Sequence, residues 1–126
     1  MAKILLIDTD VLVDLNRMRP DAVTFMLRLS SRPCVSAVTV AELYAGVREG
    51  RERTELDSFI SQCNIVAVDR RIAERGGLLL RQYRPSHGTG FADAIIAATA
   101  EVEQAQLVTL NQKGFSHAFG RACPIP

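Results

Sequence analysis

Ile4-Leu5-Leu6-Ile7-Asp8-Thr9-Asp10-Val11-Leu12-Val13-Asp14 is the stretch on which the fold turns. Four apolar residues without alternation predict a strand buried on both faces, the kind that occupies the interior of a parallel sheet. The run is too short for the core of a signal peptide or for a membrane span. Asp8-Thr9-Asp10 ends it, and Asp10 is placed to cap a helix over 11–18.

Working outward, the same alternation continues. A helix is expected over 21–29 after Pro20, and a strand over 34–36 after Pro33. Val40, Leu43, Tyr44 and Val47 have helical spacing and predict a helix over 40–47, with Gly50 near its end. Further elements are expected as a helix over 54–62, a strand over 65–68, and a helix begun by Asp69. The inner stripe of that helix would be Ile72, Gly76, Leu79, Leu80 and Tyr83. Its adjacent Gly76 and Gly77 each cost about 1 kcal/mol relative to alanine, which close packing against a neighbour would explain. Pro85 to Gly90 reads as a loop, 91–104 as an alanine-rich helix, and 107–109 as a strand. The tail around Cys123 reads as irregular or as a short edge strand. Strands alternating with helices imply a parallel sheet with helices on both faces, and in such sheets functional groups gather at the carboxyl ends of strands.

The 126 residues, 13.8 kDa, fit a single domain over 1–126. A hydrophobic content of 48% with 23% charged residues excludes global disorder, and this length needs no disulfide or zinc staple. Cys34, Cys63 and Cys123 form no Cys-x-x-Cys pair, which points to a reducing, cytoplasmic setting. A net charge of +1 announces no strong field for nucleic acid, yet 13 of the 15 basic residues are arginine, Lys3 and Lys113 being the only lysines. Arginine is the residue suited to bidentate phosphate contacts.

Three acidic residues fall where the sheet would present them: Asp8 directly after the first strand, Glu42 in the first turn of the helix after the second, and Asp93 in the first turn of the helix before the last. Converging carboxylates hold Mg²⁺ or Mn²⁺, hard cations that prefer oxygen, and such a metal activates water at a phosphate. Local readings compete. Thr39-Val40-Ala41-Glu42 matches a capping box, Asp93 suits the helix dipole, and Asp10 suits a cap. Asp8, a carboxylate on an otherwise apolar segment, is the hardest to explain structurally. His87 and His117 are too few for zinc. Ser36 and Ser86 lack a Gly-x-Ser-x-Gly context, and Gly88-Thr89-Gly90 lacks the phosphate-loop lysine. The runs Arg48, Arg51, Arg53 and Arg70, Arg71, Arg75, Arg81, Arg84 suit either solvated helix surface or RNA backbone.

Ile7-Asp8-Thr9-Asp10-Val11-Leu12-Val13-Asp14 resembles the opening of PIN-domain proteins. Ser36-Ala37-Val38-Thr39-Val40-Ala41-Glu42-Leu43 with Tyr44-Ala45-Gly46 resembles their second motif. Gly90-Phe91-Ala92-Asp93-Ala94-Ile95-Ile96-Ala97-Ala98-Thr99-Ala100 resembles the third, and Val108-Thr109-Leu110-Asn111 the fourth. Order, spacing and length match over nearly the whole chain, and within the family the wording is similar to VapC-type toxins of type II toxin–antitoxin pairs. The resemblance implies a three-layer α/β/α sandwich around a mainly parallel sheet of four to five strands. It implies an endoribonuclease dependent on Mg²⁺ or Mn²⁺, with Asp8, Glu42 and Asp93 as catalytic, metal-site carboxylates, and Thr9, Asn111 and Lys113 as candidate substrate or water contacts. It also implies an RNA substrate, a cognate VapB-type antitoxin and a homodimer, with contact surfaces sought at Ile72–Tyr83 or Val11–Leu29. The family often carries an acid three residues after the Asn of the fourth motif; Gly114 stands there, which puts a second metal in question.

Three other readings use the same residues. Ile7-Asp8-Thr9-Asp10-Val11 fits the opening of haloacid-dehalogenase-like phosphatases, although Lys113 is followed by Gly-Phe-Ser-His rather than an acidic motif. A receiver module would need a phosphorylatable aspartate ending its third strand, for which Asp57 and Asp69 are the nearest candidates. A PIN-like domain that binds RNA or a partner without cutting is the third.

Overall fold

The computed structural model describes residues 4–29, 32–87, 90–110 and 122–123. Their elements are β1 (Leu5–Ile7), α1 (Thr9–Asn16), α2 (Pro20–Leu27), β2 (Cys34–Ser36), α3 (Ala37–Gly46), α4 (Arg51–Ser61), β3 (Asn64–Val66), α5 (Arg70–His87), α6 (Phe91–Val102), β4 (Gln106–Val108) and β5 (Ala122–Cys123). The five strands form one sheet in the order β3-β2-β1-β4-β5, and every pair is parallel. The tail strand is therefore an edge strand, as one of the two tail readings expected.

Period-two side-chain alternation divides the core. Leu6 and Leu107 face one side of the sheet, where they pack with Ile72 and Leu79 of α5 and Ile95 and Ile96 of α6. Ile7, Val35 and Val108 face the other, with Val11 and Leu12 of α1 and, around them, Phe25, Val40, Leu43 and Phe59. This is the α/β/α layering. The stripe Ile72–Tyr83 lies on the core face of α5, Ile72 and Leu79 being wholly or nearly buried, so it offers little as a docking face; in the other candidate region Met18 and Leu27 are 72% and 81% exposed.

The chain builds outward from β1 to β3 on one flank, then returns through α5 and α6 to β4 on the other. The order reverses between β1 and β4, and the crevice outside the carboxyl ends of strands at such a switch point is where open α/β sheets bind ligands.

Several local expectations shift. Helices α1 and α3 begin immediately after their strands, so the caps are Asp8, accepting from the Thr9 N–H, and Ser36, accepting from the Val38 N–H. Asp10 and Thr39, expected as caps, lie inside the helices, and Glu42 stands in the second turn of α3 rather than the first. Gly50 opens α4 instead of closing α3, at φ 101°, a conformation open to glycine. Helix α5 continues past Pro85 to His87, where the sequence predicts a loop, although a proline in a helix lacks the N–H of the regular ladder. No helix among the described residues is long and apolar enough to cross a membrane.

Candidate active site

Asp8 extends the β1 ladder by one bond, its N–H donating to the Val108 carbonyl at 2.9 Å. Its side chain is 4% exposed. Oδ1 accepts from the Thr9 N–H at 2.8 Å and Oδ2 from the Thr109 hydroxyl at 2.6 Å. Thr109 follows β4, so this bond bridges the switch point. Burial first, then the neighbouring charges of Asp10 and Asp93, push the Asp8 carboxyl from 3.8 up to about 7, against the pull of the hydrogen bonds from Thr109 and Thr9.

Asp93 lies in the first turn of α6, whose N-cap Gly90 contributes no side-chain cap. Burial, then the charges of Glu42 and Asp10, raise its carboxyl above the usual range. Glu42 arrives from α3, and its Oε1 accepts from the Thr9 hydroxyl at 2.7 Å. The Thr9 and wholly buried Thr39 hydroxyls lie 3.0 Å apart. Thr9 is half-buried, and its hydroxyl meets Glu42 and Thr39. Asp8, Glu42 and Asp93 come from three separate segments, and Asp93 links them: its charge acts on Asp8, and that of Glu42 acts on it.

Asp10 is the residue that sequence reasoning placed elsewhere. With Asp8 taking the cap, Asp10 turns to the exit of β4, its Oδ1 accepting from the Leu110 N–H at 3.2 Å and Oδ2 lying 3.3 Å from the Thr109 hydroxyl. The signal available was the Asp-x-Asp spacing, which puts two carboxylates in one helical turn. Asn111, Lys113, Gly114 and His117 lie outside the described residues.

Among the described residues no three acidic, histidine or cysteine side chains are close enough together to hold a metal ion as they stand. Their chemistry nevertheless fits a hard divalent cation. The donors are carboxylate oxygens, and Asp8 and Asp93, raised by burial first, are raised further by neighbouring carboxylates whose repulsion a cation would relieve. A groove of about 690 Å³ begins at Glu42 and runs between α1, α3 and α4, with Leu12, Leu15, Leu43, Leu56 and Phe59 in its walls.

The arginine runs are partly self-neutralised. Arg51 pairs with Glu55 at 2.9 Å, Arg53 with Glu49 at 2.9 Å and Asp57 at 3.3 Å, and Arg75 with Glu101 at 2.9 Å. Arg53 also lies over the Tyr44 ring, whose hydroxyl donates to Asp57. Asp57 thus sits in α4, and Asp69 accepts from the Ile72 N–H at the start of α5. Neither ends a strand as a receiver module requires.

Comparison with known proteins is consistent with this geometry. The family model of the PIN domain matches residues 5–119. The chain is 40% identical over 114 residues to ribonuclease VapC19 of Mycobacterium tuberculosis, covering 87% of this chain and 90% of that one. It is 36% identical over 110 residues to ribonuclease VapC10 of the same organism, covering 85% and 82%. A chain in the crystal structure of DNA-bound VapBC from Salmonella typhimurium superposes with a TM-score of 0.84 at 25% identity, over 100% of both chains. The chain belongs to the PIN-domain family and, within it, to the VapC group.

Proposed function

We propose that this chain is an endoribonuclease, the toxin of a VapBC-type toxin–antitoxin pair, which hydrolyses phosphodiester bonds of cellular RNA in the cytoplasm. The observation that carries this reading is the convergence of Asp8, Glu42 and Asp93 at the switch point of a VapC-group chain. PIN-domain ribonucleases are generally dependent on divalent metal, and the donors here suit Mg²⁺ or Mn²⁺. Asp8 and Asp93 are the direct ligands in this reading, and Glu42 is a third ligand or orients water. When bound, such an ion supplies a lowered water pKa beside the scissile phosphodiester and positive charge against the charge developing on it.

The protein's own part is positioning. The Thr9 N–H and the Thr109 hydroxyl hold both oxygens of Asp8. Burial keeps competing water away from that carboxylate, and Asp10 adds a further negative charge beside it. Asn111 and Lys113 remain candidates for contacting substrate or water.

The partner is a VapB-type antitoxin, in keeping with the VapBC complex that the fold matches. The groove leading to Glu42 is the surface on which its segment would reach the carboxylates. The protein acts as a homodimer, with exposed Met18 and Leu27 marking the better of the two candidate faces. Family membership leaves the phosphatase reading without support.

The test is cleavage of RNA by purified protein with Mg²⁺, alongside Asp8→Asn and Asp93→Asn shown to be folded by circular dichroism. Both variants are expected to lose cleavage, and full cleavage by either would sink the assignment. RNA binding that survives metal removal, with no cleavage under any metal, would favour the non-cutting reading. Mapping new RNA ends in cells that express the chain alone would name the substrate.

A further inference from the structure

We infer that Thr39 and Thr9 are positioning residues that form a hydroxyl relay from the buried face of α3 to the Glu42 carboxylate and fix it against the start of α1. This deepens the nuclease reading and rests on it. Glu42 is itself exposed, and it borders both the carboxylate site and the groove between α1, α3 and α4. A glutamate with three side-chain torsions in that position has two directions open to it. One is toward the charged edge that includes Asp93, whose carboxyl is raised by burial first and then by the charge of Glu42; the other lies out over the groove.

The hydrogen bonds hold the carboxylate against α1. An ionised carboxylate only accepts, and a threonine hydroxyl has one proton to give. The 2.7 Å contact therefore takes the Thr9 proton to Glu42 Oε1. The Thr9 oxygen is left to accept, and the Thr39 hydroxyl 3.0 Å away is the donor facing it. Thr39 is 0% exposed and three residues before Glu42, so it sits one turn below it on the same face of α3. A β-branched side chain inside a helix has few rotamers, which makes Thr39 a fixed anchor. Thr9, the first residue of α1, is held next to the site by the Asp8 cap. The relay thus ties α3 to α1 at the point where the carboxylates meet.

The test pairs isosteric and conservative substitutions: Thr39→Val and Thr9→Val remove a hydroxyl, while Thr39→Ser and Thr9→Ser keep it. Two readouts apply to each: Mn²⁺ binding to the metal-free protein by isothermal titration calorimetry, and kcat and KM for RNA cleavage. Partners that orient metal ligands are typically worth about 10- to 100-fold in affinity or activity. Each valine variant is expected to lose about that much in Mn²⁺ affinity or kcat, with KM for RNA little changed. Each serine variant should stay near the parent. The double valine variant should lose no more than one single variant does, because the two hydroxyls act in series. In a Glu42→Gln background, Thr39→Val should have no further effect. A folded Thr39→Val or Thr9→Val with unchanged Mn²⁺ affinity and kcat overturns the relay, as does a further loss in the Glu42→Gln background. If buried Thr39→Val fails to fold, half-buried Thr9→Val carries the decision. Glu42→Gln cleaving RNA at full rate would overturn the reading of Glu42 itself; an inactive Glu42→Gln beside fully active valine variants would overturn the relay alone.

Discussion

Asp8 carries the electrostatic cost of the site. Among the described residues its partners are two hydrogen-bond donors, and its neighbours Asp10 and Asp93 are of like charge. Its pKa is raised to about 7 in the fold, against 3.8 in an unstructured chain. Between roughly pH 4 and 7 the folded state therefore keeps a proton that the unfolded state has released. The associated stability is fully present below about pH 4 and is lost as pH rises through about 7. Metal-free protein should accordingly melt at falling temperature across that window. Asp8→Asn should flatten the slope and, at pH 8 without metal, melt above the parent. A melting temperature that is level from pH 4 to 8 in both proteins would contradict this account. Because a metal competes with the same protons, its affinity should rise with pH through 7.

At the scale of elements, the α5–α6 pair separates two glycines that look alike in sequence. A Cβ on Gly76 would lie 2.7 Å from Ile95 Cδ1 and 3.4 Å from Ile95 Cα, so this is the glycine that lets the two helices approach. A Cβ on Gly77 would meet nothing within 4 Å. Gly77→Ala should stabilise the protein by about 0.5–1 kcal/mol through helix propensity alone. Gly76→Val should destabilise it by about 1–3 kcal/mol through overpacking against Ile95. Urea melts would measure both, and equal effects of one sign would refute the distinction. The packing explanation suggested by the adjacent glycines thus holds for one of them. Elsewhere, the caps of α1 and α3 stand two and three residues earlier than local spacing predicts, at Asp8 and Ser36 in place of Asp10 and Thr39. With no loop residue between strand and helix, the cap falls to the last extended residue, Asp8 or Ser36, and the next polar residues are released for other bonds.

At the scale of the whole molecule, the net charge of +1 is a poor guide to the surface. Asp8, Asp10, Glu42 and Asp93 contribute negative charge near the switch point, while Arg51, Arg53 and Arg75 are paired with Glu55, with Glu49 and Asp57, and with Glu101. At those three arginines, read from sequence as either solvated helix surface or RNA-backbone contacts, carboxylates compete for the charge. A cation at the edge should stabilise the entire fold. At a free concentration about 100-fold above its dissociation constant, binding to the native state alone contributes about 2.7 kcal/mol, a rise of several degrees in Tm. No shift at saturating Mg²⁺ or Mn²⁺ would count against the site. The groove offers an independent check on the proposed partner. Leu56→Glu should weaken binding of a VapB-type segment by tenfold or more while RNA cleavage persists; loss of both together would mean that the groove is part of the catalytic surface or of the core.

Local pattern was enough for the alternation of strands and helices, the parallel sheet, the helices on both faces and the candidates Asp8, Glu42 and Asp93. Apolar periodicity and the spacing of acids from strand ends are one-dimensional signals; the first agrees with the packing, and the second named the candidate carboxylates. The rest depends on groups that the chain brings together from afar. Thr109 bonds to Asp8 across 101 residues and Thr9 to Glu42 across 33, because β4 and α3 are laid beside β1 and α1. Asp10 could be assigned to the β4 exit only once the sheet order had put that exit beside α1. No propensity or spacing encodes such partners: a side-chain hydrogen bond between distant segments leaves no periodic trace in sequence, and it forms only where the sheet has already set the geometry.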